Sequence, residues 1–212
     1  MTQHHKSKRI FKIPSFVAWF YPRRVWFGTS QDVFLTFDYG PHPEITPWLL
    51  TFLKEEKIAV TFFWNGEQMK RYPEFIQQAR DEGHLVGHHG QKHVSPRKMS
   101  LREFKTDFDE SHQQVSSKLY RPPYGEIKQK QAKYVLQKGS LIMWSWMSYD
   151  FDKVVSNRQI IDACKHGVKE KDILVFHEND KTKDRIREIL PTIVQVIRDK
   201  GLNFATLEKE MK

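Results

Sequence analysis

Residues 33–41 have the sequence VFLTFDYGP, in which a run of β-branched and aromatic residues ends directly at Asp38. The run 33–37 has the composition of a buried β-strand, and a helical pattern at 45–56 follows it. The same order of strand and helix patterns recurs along the chain. Such alternation is typical of parallel strands that are joined by helices. The stretch therefore predicts an α/β fold whose first strand carries an acidic residue at its carboxyl end.

Seven strand patterns and six helix patterns extend from residue 33 towards the C-terminus. No hydrophobic break divides them, and a chain of 212 residues fits one large domain. The repeat favours barrel-like closure of a parallel sheet, with an open doubly wound sheet as the alternative. The predicted strands are 33–37, 59–64, 84–87, 119–122, 141–146, 173–176 and 203–207. The predicted helices are 45–56, 73–82, 101–117, 128–138, 158–166 and 183–200.

The net charge of +9 is concentrated in residues 1–30, which we predict to be a basic, aromatic arm ahead of a domain at 31–212. The arm has six basic and no acidic residues, which leaves 29 basic against 26 acidic residues in the domain. Charge therefore does not support a nucleic-acid partner. The arm is expected to pack on the domain or, alternatively, to contact a membrane surface weakly through Phe16, Trp19 and Phe20. Removal of residues 1–28 is predicted to leave the domain folded.

Cysteine content and hydropathy limit the chemistry and the compartment. The single cysteine, Cys164, excludes an intramolecular disulfide and a cysteine-based zinc site, so histidine would have to bind any metal. The longest uncharged stretch of the arm, 13–22, is ten residues long, whereas a membrane helix needs about 20. No export signal is recognisable. The default expectation is a cytoplasmic protein, with association with the cell envelope as the alternative.

Polar residues follow the predicted strands at their carboxyl ends. In a parallel barrel these ends share one rim, where loops build active sites. The pair His89 and His93 is four residues apart, so one helical turn would point both rings in one direction, as a metal site requires. Solvated surface histidines are the alternative for this pair, and a core role is the alternative for His177. The residues that we expect at the rim are Asp38, His88, His89, Arg121, Tyr124, Gly125, Asp150 and His177.

The segment 121–125, Arg-Pro-Pro-Tyr-Gly, predicts a rigid extended turn. Two prolines fix their own φ angles and restrict the residues before them. A rigidly held Tyr124 amide could stabilise a developing oxyanion, and Arg121 could keep a neighbouring carboxylate ionised. A plain structural turn is the alternative.

Five motifs in a fixed order give the chain a family resemblance. They are Thr36 to Pro41, His89 with His93, Arg121 to Gly125, Asp150-Phe151, and Leu174 to His177. From about residue 31 to 208 the chain resembles the NodB-homology polysaccharide deacetylases, carbohydrate esterase family 4. The resemblance implies a distorted (β/α)7 barrel. It also implies metal-dependent removal of N-acetyl groups from amino-sugar polymers such as chitin or peptidoglycan.

The resemblance assigns a role to each matching position. Asp38 would be the general base, paired with Arg121, and the Tyr124 amide would bind the oxyanion. His177 would protonate the leaving amine, with Asp150 tuning its pKa. His89 and His93 would bind a divalent metal, for which zinc is expected.

One ligand of the resemblance is missing, because Tyr39 occupies the position of the family's metal-binding Asp. Three repairs are conceivable: His88 swings in, the Tyr39 phenol binds, or water fills the position. His88 is adjacent to His89 and would point about 100° away from it on a helix, so His88 can bind the same metal only if this segment is a loop. The sequence therefore predicts a deacetylase that is impaired by Tyr39. The alternatives are an inactive carbohydrate-binding relative and a hydrolase of another amide.

Overall fold

A single sheet of eight parallel strands forms the centre of the computed structural model, which describes residues 9–210. The strand order is β1-β6-β5-β4-β3-β2-β8-β7, and every pair of neighbours is parallel, as predicted. The strands are β1 (Arg24–Val25), β2 (Phe34–Tyr39), β3 (Thr61–Trp64), β4 (Leu85–His88), β5 (Leu119–Tyr120), β6 (Ser140–Ile142), β7 (Trp146–Met147) and β8 (Ile173–His177).

Two of the predicted strands differ from the structure. The segment 141–146 is split into β6 and β7, because the chain leaves the β1 side of the sheet at Met143 and joins β8 at Ser145, where backbone hydrogen bonds change partner. The prediction of a strand at 203–207 is wrong, since this segment forms only one bridge, between Val33 and Phe204, before a 3₁₀ turn at Leu207–Glu210. Strand β1 was not predicted.

Eight α-helices surround the sheet, and all six predicted helices are present with ends shifted by one or two residues. Ser100 begins α5 with the predicted capping box, in which its hydroxyl accepts from the Glu103 amide while the Glu103 carboxylate accepts from the Ser100 amide. Helices α1 and α3 were not predicted. The helices are α1 (Phe16–Phe20), α2 (Ile45–Glu55), α3 (Gly66–Arg71), α4 (Glu74–Asp81), α5 (Leu101–Val115), α6 (Gln129–Leu136), α7 (Asn157–Gly167) and α8 (Lys183–Asp199).

The sheet is buried on both faces, as parallel sheets require. On one face, Leu35 and Phe37 of β2 join a large apolar core with α2 and α8. On the other face, Phe34 packs with Phe63 and Ile173 in a second, smaller cluster. Buried strands leave only their ends open to solvent, so the carboxyl ends of the strands form one polar rim.

Residues 9–27 of the predicted arm contact the sheet closely. The Phe11 carbonyl accepts a hydrogen bond from the Met147 amide, and the Phe11 ring lies 6.0 Å from that of Trp146. The Lys12 ammonium lies 2.6 Å from the carboxylate of Asp172, which is fully buried. Strand β1 then pairs with β6. Within the described residues, no helix is long and apolar enough to cross a membrane.

We expect removal of residues 1–28 to destabilise the protein, contrary to the prediction from sequence. The deletion takes away β1, exposes Trp146 and leaves the buried Asp172 without its cation, which is costly inside a protein. Thermal unfolding of the chain lacking residues 1–28 should occur at least about 10 °C below that of the full chain. A chain lacking only residues 1–8 keeps all these contacts and is the matched control. Equal melting of the two truncated chains would contradict this account.

Candidate active site

A cavity of about 500 Å³ opens at the carboxyl ends of the strands. Its volume falls within the range of small-molecule sites. The structure places Asp38, His89, His93, Tyr124 and His177 on its wall. Arg121 and Asp150 lie buried behind this wall, against Asp38 and His177 respectively. The remaining lining residues are Tyr39, Trp144, Met147, Phe151, Val175, Asn179, Asp180 and Lys181.

Asp38 forms a buried ion pair with Arg121. The guanidinium donates to Asp38 Oδ1 at 2.6 Å, to Thr36 Oγ1 at 2.7 Å and to the Met143 carbonyl at 2.9 Å. Burial lowers the pKa of Arg121, and the charge of Asp38 partly offsets this. Arginine stays protonated in proteins, so a fixed positive charge lies behind the Asp38 carboxylate.

His177 is held by Asp150 through two hydrogen bonds. Its ring Nδ1 lies 2.7 Å from Asp150 Oδ1, and its backbone amide donates to Oδ2 at 2.8 Å. Burial lowers the pKa of His177, but the charge and hydrogen bond of Asp150 raise it by more, so the net shift is upward. Because Nδ1 is engaged by Asp150, Nε2 is the ring nitrogen left for a ligand.

His89 and His93 bring two neutral imidazoles to the cavity, with ring centroids 5.0 Å apart. His89 Nδ1 lies 2.8 Å from the Arg121 carbonyl. A carbonyl only accepts, so Nδ1 carries the proton and the Nε2 lone pair stays free, 3.8 Å from Asp38 Oδ2. Burial lowers the pKa of each histidine to about 3.

The chain between these histidines is a loop, so the predicted helical turn is wrong. Gly90 has a φ of 79°, a region that favours glycine. The Asp107 carboxylate then accepts from the amides of Gln91 and Lys92 and fixes the loop. This turn, and not the spacing of a helix, brings the His89 and His93 rings together.

His88 faces away from the cavity. It is fully buried, its Nδ1 lies 2.7 Å from the Ser111 hydroxyl, and its ring packs at 4.6 Å from that of Phe108. Successive residues of a strand point to opposite faces. The hypothesis that His88 completes a ligand set with His89 is therefore wrong.

Tyr39 contributes a neutral phenol beside the histidines. Its ring centroid lies 4.1 Å from that of His93, and its backbone φ of 91° is a strained value for a residue with a side chain. Burial and the nearby Tyr124 raise the pKa of the phenol. No group of three His, Cys, Asp or Glu side chains within residues 9–210 is placed to hold a metal. Two imidazoles suit a divalent metal, but the side chain that the family resemblance would make the third ligand is the Tyr39 phenol and not a carboxylate.

Tyr124 lies in a tight turn at the mouth of the cavity. The turn Pro123–Gly125 gives Tyr124 a φ of 61°, and the Gly125 amide donates to the Pro122 carbonyl. The Tyr124 ring is 64% exposed and lies 5.0 Å from the His93 ring. The turn is a tight 3₁₀ turn rather than the extended turn predicted from sequence, and it places the Tyr124 ring next to His93.

Two features of the site were missed by the sequence analysis. Trp144 lines the cavity because the predicted strand 141–146 is interrupted there. Glu178 is a buried carboxyl that accepts hydrogen bonds from Thr46 Oγ1 and Trp64 Nε1, and burial raises its pKa to about 7. A Cβ at Gly40 would lie 2.7 Å from Glu178 Oε2, so this support needs a glycine. The sequence offered one indication of this role, because Glu178 directly follows His177 at the end of a buried strand.

Known proteins share both the sequence pattern and the fold. Residues 28–141 match the sequence model of the polysaccharide deacetylase family. A peptidoglycan-N-acetylglucosamine deacetylase of Bacillus cereus is 28% identical over 185 residues, which cover 84% of this chain and 67% of that protein. The peptidoglycan-N-acetylmuramic acid deacetylase PdaA of Bacillus subtilis is 26% identical over 199 residues, covering 86% and 74%.

Solved structures of polysaccharide deacetylases and their relatives have the same fold as this chain. A peptidoglycan N-acetylglucosamine deacetylase in complex with a hydroxamate-type benzamide superposes with a TM-score of 0.83 at 26% identity, over 91% of this chain and 95% of that one. A pseudoenzyme of carbohydrate esterase family 4 from Bacillus anthracis shares the fold, with a TM-score of 0.78 at 19% identity, over 89% and 69%. The predicted distorted (β/α)7 barrel is therefore confirmed. The chain belongs to the polysaccharide deacetylase family, the NodB-homology proteins of carbohydrate esterase family 4.

Proposed function

We propose that this protein is a hydrolase that removes N-acetyl groups from amino-sugar polymers or oligomers of the peptidoglycan or chitin type. One observation carries the proposal: Asp38 and His177, each held by its own buried partner, line the same cavity. Amide hydrolysis needs a base for the attacking water and an acid for the leaving amine. The named relatives that act on peptidoglycan support this substrate class.

Asp38 would act as the general base. Its Oδ1 is occupied by the ion pair with Arg121, so Oδ2 is left to take a proton from water. The same oxygen faces His89 Nε2 at 3.8 Å. Base and imidazole therefore converge on one small volume of the cavity.

His177 would act as the general acid. The Asp150 carboxylate raises the pKa of His177, so a larger share of the ring carries a proton near neutral pH. That proton would pass from Nε2 to the amine as the carbon–nitrogen bond breaks. The Tyr124 backbone amide, fixed in its turn, would donate to the oxyanion that forms on the acetyl oxygen.

His89 and His93 would hold a divalent metal ion, for which we propose zinc. When bound, such an ion polarises the acetyl carbonyl and makes water more acidic. The Arg121 carbonyl orients His89 for this purpose, as outer partners of metal-binding histidines generally do. Tyr39 supplies a neutral phenol where the family has a carboxylate, so the two imidazoles would hold the metal weakly.

Asp150→Asn should lower the pKa of His177, because the amide keeps the size of the carboxylate but removes the charge that offsets burial. An NMR titration of the His177 ring should show the midpoint moving to lower pH, below the usual range for histidine. If acetate release is measurable, the pH above which its rate falls should also be lower in the variant than in the wild type. Asp152→Asn, the same change at a partly buried carboxylate that pairs with Arg9 and does not line the cavity, is the control. An unchanged His177 midpoint would contradict the assignment.

Acetate release tests the proposed function. The zinc-supplemented protein is incubated with N-acetylglucosamine oligomers and with peptidoglycan glycan strands, beside an Asp38→Asn variant. We expect slow acetate release by the wild type and none by the variant. Binding of the oligomers without acetate release would instead favour the alternative, a carbohydrate-binding relative without activity. The observation that favours this inactive, carbohydrate-binding alternative is the phenol at position 39, where the family has a carboxylate.

The proposed substrate also bears on location. Peptidoglycan-type polymers belong to the cell envelope, and several relatives are named for acting on peptidoglycan. We therefore propose association with the cell envelope in place of the cytoplasmic expectation. Fractionation of cells that express the protein would test this assignment.

A further inference from the structure

Four large aromatic side chains are exposed within six consecutive residues of the chain. Phe16, Trp19, Phe20 and Tyr21 have exposed fractions of 61%, 78%, 64% and 47%. Helix α1, which carries three of them, has no buried residue. Clustered exposed aromatic residues usually mark an interaction site. We refer to residues 16–21, together with Arg23, Arg24 and Lys133, as the aromatic patch.

Positive charge surrounds these aromatic residues. Arg23 follows them directly, and the Arg24 guanidinium lies 4.3 Å from the centroid of the Tyr21 ring. Lys133 of α6 faces them across an open groove of about 260 Å³. Neither residues 1–30 nor α6 contains an acidic residue. The patch therefore combines apolar rings with an excess of positive charge.

The aromatic patch and the candidate active site lie at opposite ends of the sheet. Tyr21 to Arg23 lead into the amino end of β1, which runs parallel to β6. The cavity lies at the carboxyl ends of the strands. A surface that binds the patch would therefore leave the cavity open on the far side.

We propose that the aromatic patch binds the surface of an anionic lipid membrane. Tryptophan and other aromatic rings settle at the boundary between headgroups and acyl chains, and arginine and lysine are attracted to anionic headgroups. A second copy of the chain fits less well, because self-pairing would bring equivalent cations together. The inference concerns attachment and is independent of the proposed deacetylase activity.

Vesicle co-sedimentation with the full chain tests the proposal. The protein should bind vesicles that contain phosphatidylglycerol, and binding to pure phosphatidylcholine should be weaker. Raising the salt concentration should reduce the binding, because exposed charges are screened. The double variants Trp19→Ser/Phe20→Ser and Arg23→Glu/Lys133→Glu should each lower the partition coefficient by about tenfold or more. Both variants change exposed residues, and their thermal melting should match that of the wild type.

Two matched controls separate the patch from general surface effects. Val154→Ser removes an apolar residue that is 76% exposed, and Lys54→Glu reverses an exposed charge on α2. Both should leave vesicle binding unchanged. Equal binding to the two kinds of vesicle, or binding that survives both patch variants, would overturn the proposal. Loss of self-association by Trp19→Ser/Phe20→Ser without any vesicle binding would identify a second copy as the partner and would overturn it as well.

Discussion

Tyr39→Asp is expected to tighten zinc binding by about a hundredfold, measured by calorimetric titration of the two proteins. The substitution places a carboxylate beside His89 and His93, the two imidazoles that line the cavity. A carboxylate brings a full negative charge to a dication, whereas the phenol, with an ordinary pKa of about 10 that burial raises further, is neutral. Nickel and cobalt should likewise bind more tightly to Tyr39→Asp than to the wild type.

The backbone at position 39 also favours this substitution. Tyr39 has a φ of 91°, and Asp and Asn occupy positive φ more readily than other residues with side chains. Position 39 is only half-buried, so a carboxylate there keeps contact with water. We therefore expect Tyr39→Asp to fold with a stability close to that of the wild type.

Tyr39→Asn separates charge from backbone strain. Asparagine has nearly the size of aspartate and the same tolerance of positive φ, but it carries no charge. Zinc affinity should rise in Tyr39→Asp and only slightly in Tyr39→Asn. If Tyr39→Asp binds zinc no better than the wild type does, the idea of a metal site that lacks one carboxylate is wrong, and a cavity for binding without chemistry is favoured.

Arg121→Met should lower the stability of the folded protein by about 3–5 kcal/mol, the usual cost of removing one partner of a buried ion pair. Arg121 is fully buried and Asp38 is 3% exposed, so the substitution leaves a nearly buried carboxylate without its cation. It also removes the donors to Thr36 Oγ1 and the Met143 carbonyl. Denaturant unfolding measures the loss.

Two further variants show where that loss comes from. Asp38→Asn in the Arg121→Met background removes the unpaired charge and should recover part of the stability. Arg158→Met, at a side chain that is 92% exposed beside Asp162, should change stability by less than about 0.5 kcal/mol. A loss at Arg121 no greater than at Arg158 would mean that the Asp38–Arg121 pair does not stabilise the fold.

The strands could be predicted from sequence because their apolar runs are buried on both faces. That pattern located β2, β3, β4 and β8, and therefore the rim where Asp38 and His177 end their strands. Strand β1 was missed because it has two residues in a basic segment, where hydrophobic periodicity is uninformative. The apolar run at 203–207 resembled a strand, but only Phe204 pairs with the sheet.

The details of the site depend on backbone angles that the sequence does not reveal. His89 and His93 approach each other through a loop with positive φ at Gly90 and His93, not through a helical turn. The orientation of His88 away from the cavity follows from its place in β4, one residue later than the predicted strand end. Tyr39 departs visibly from the family pattern in the sequence, whereas its ring contact with His93 and its strained backbone required the structure.

Acetate release by the zinc-loaded Tyr39→Asp protein shows whether the proposed acid and base, His177 and Asp38, are competent and only the metal position is weakened. N-acetylglucosamine oligomers are the substrate, and Tyr39→Asp carrying a second substitution, Asp38→Asn, is the control. We expect Tyr39→Asp to release acetate much faster than the wild type and the added Asp38→Asn substitution to abolish the release. Tight zinc binding by Tyr39→Asp without acetate release above that of the double variant would contradict this expectation.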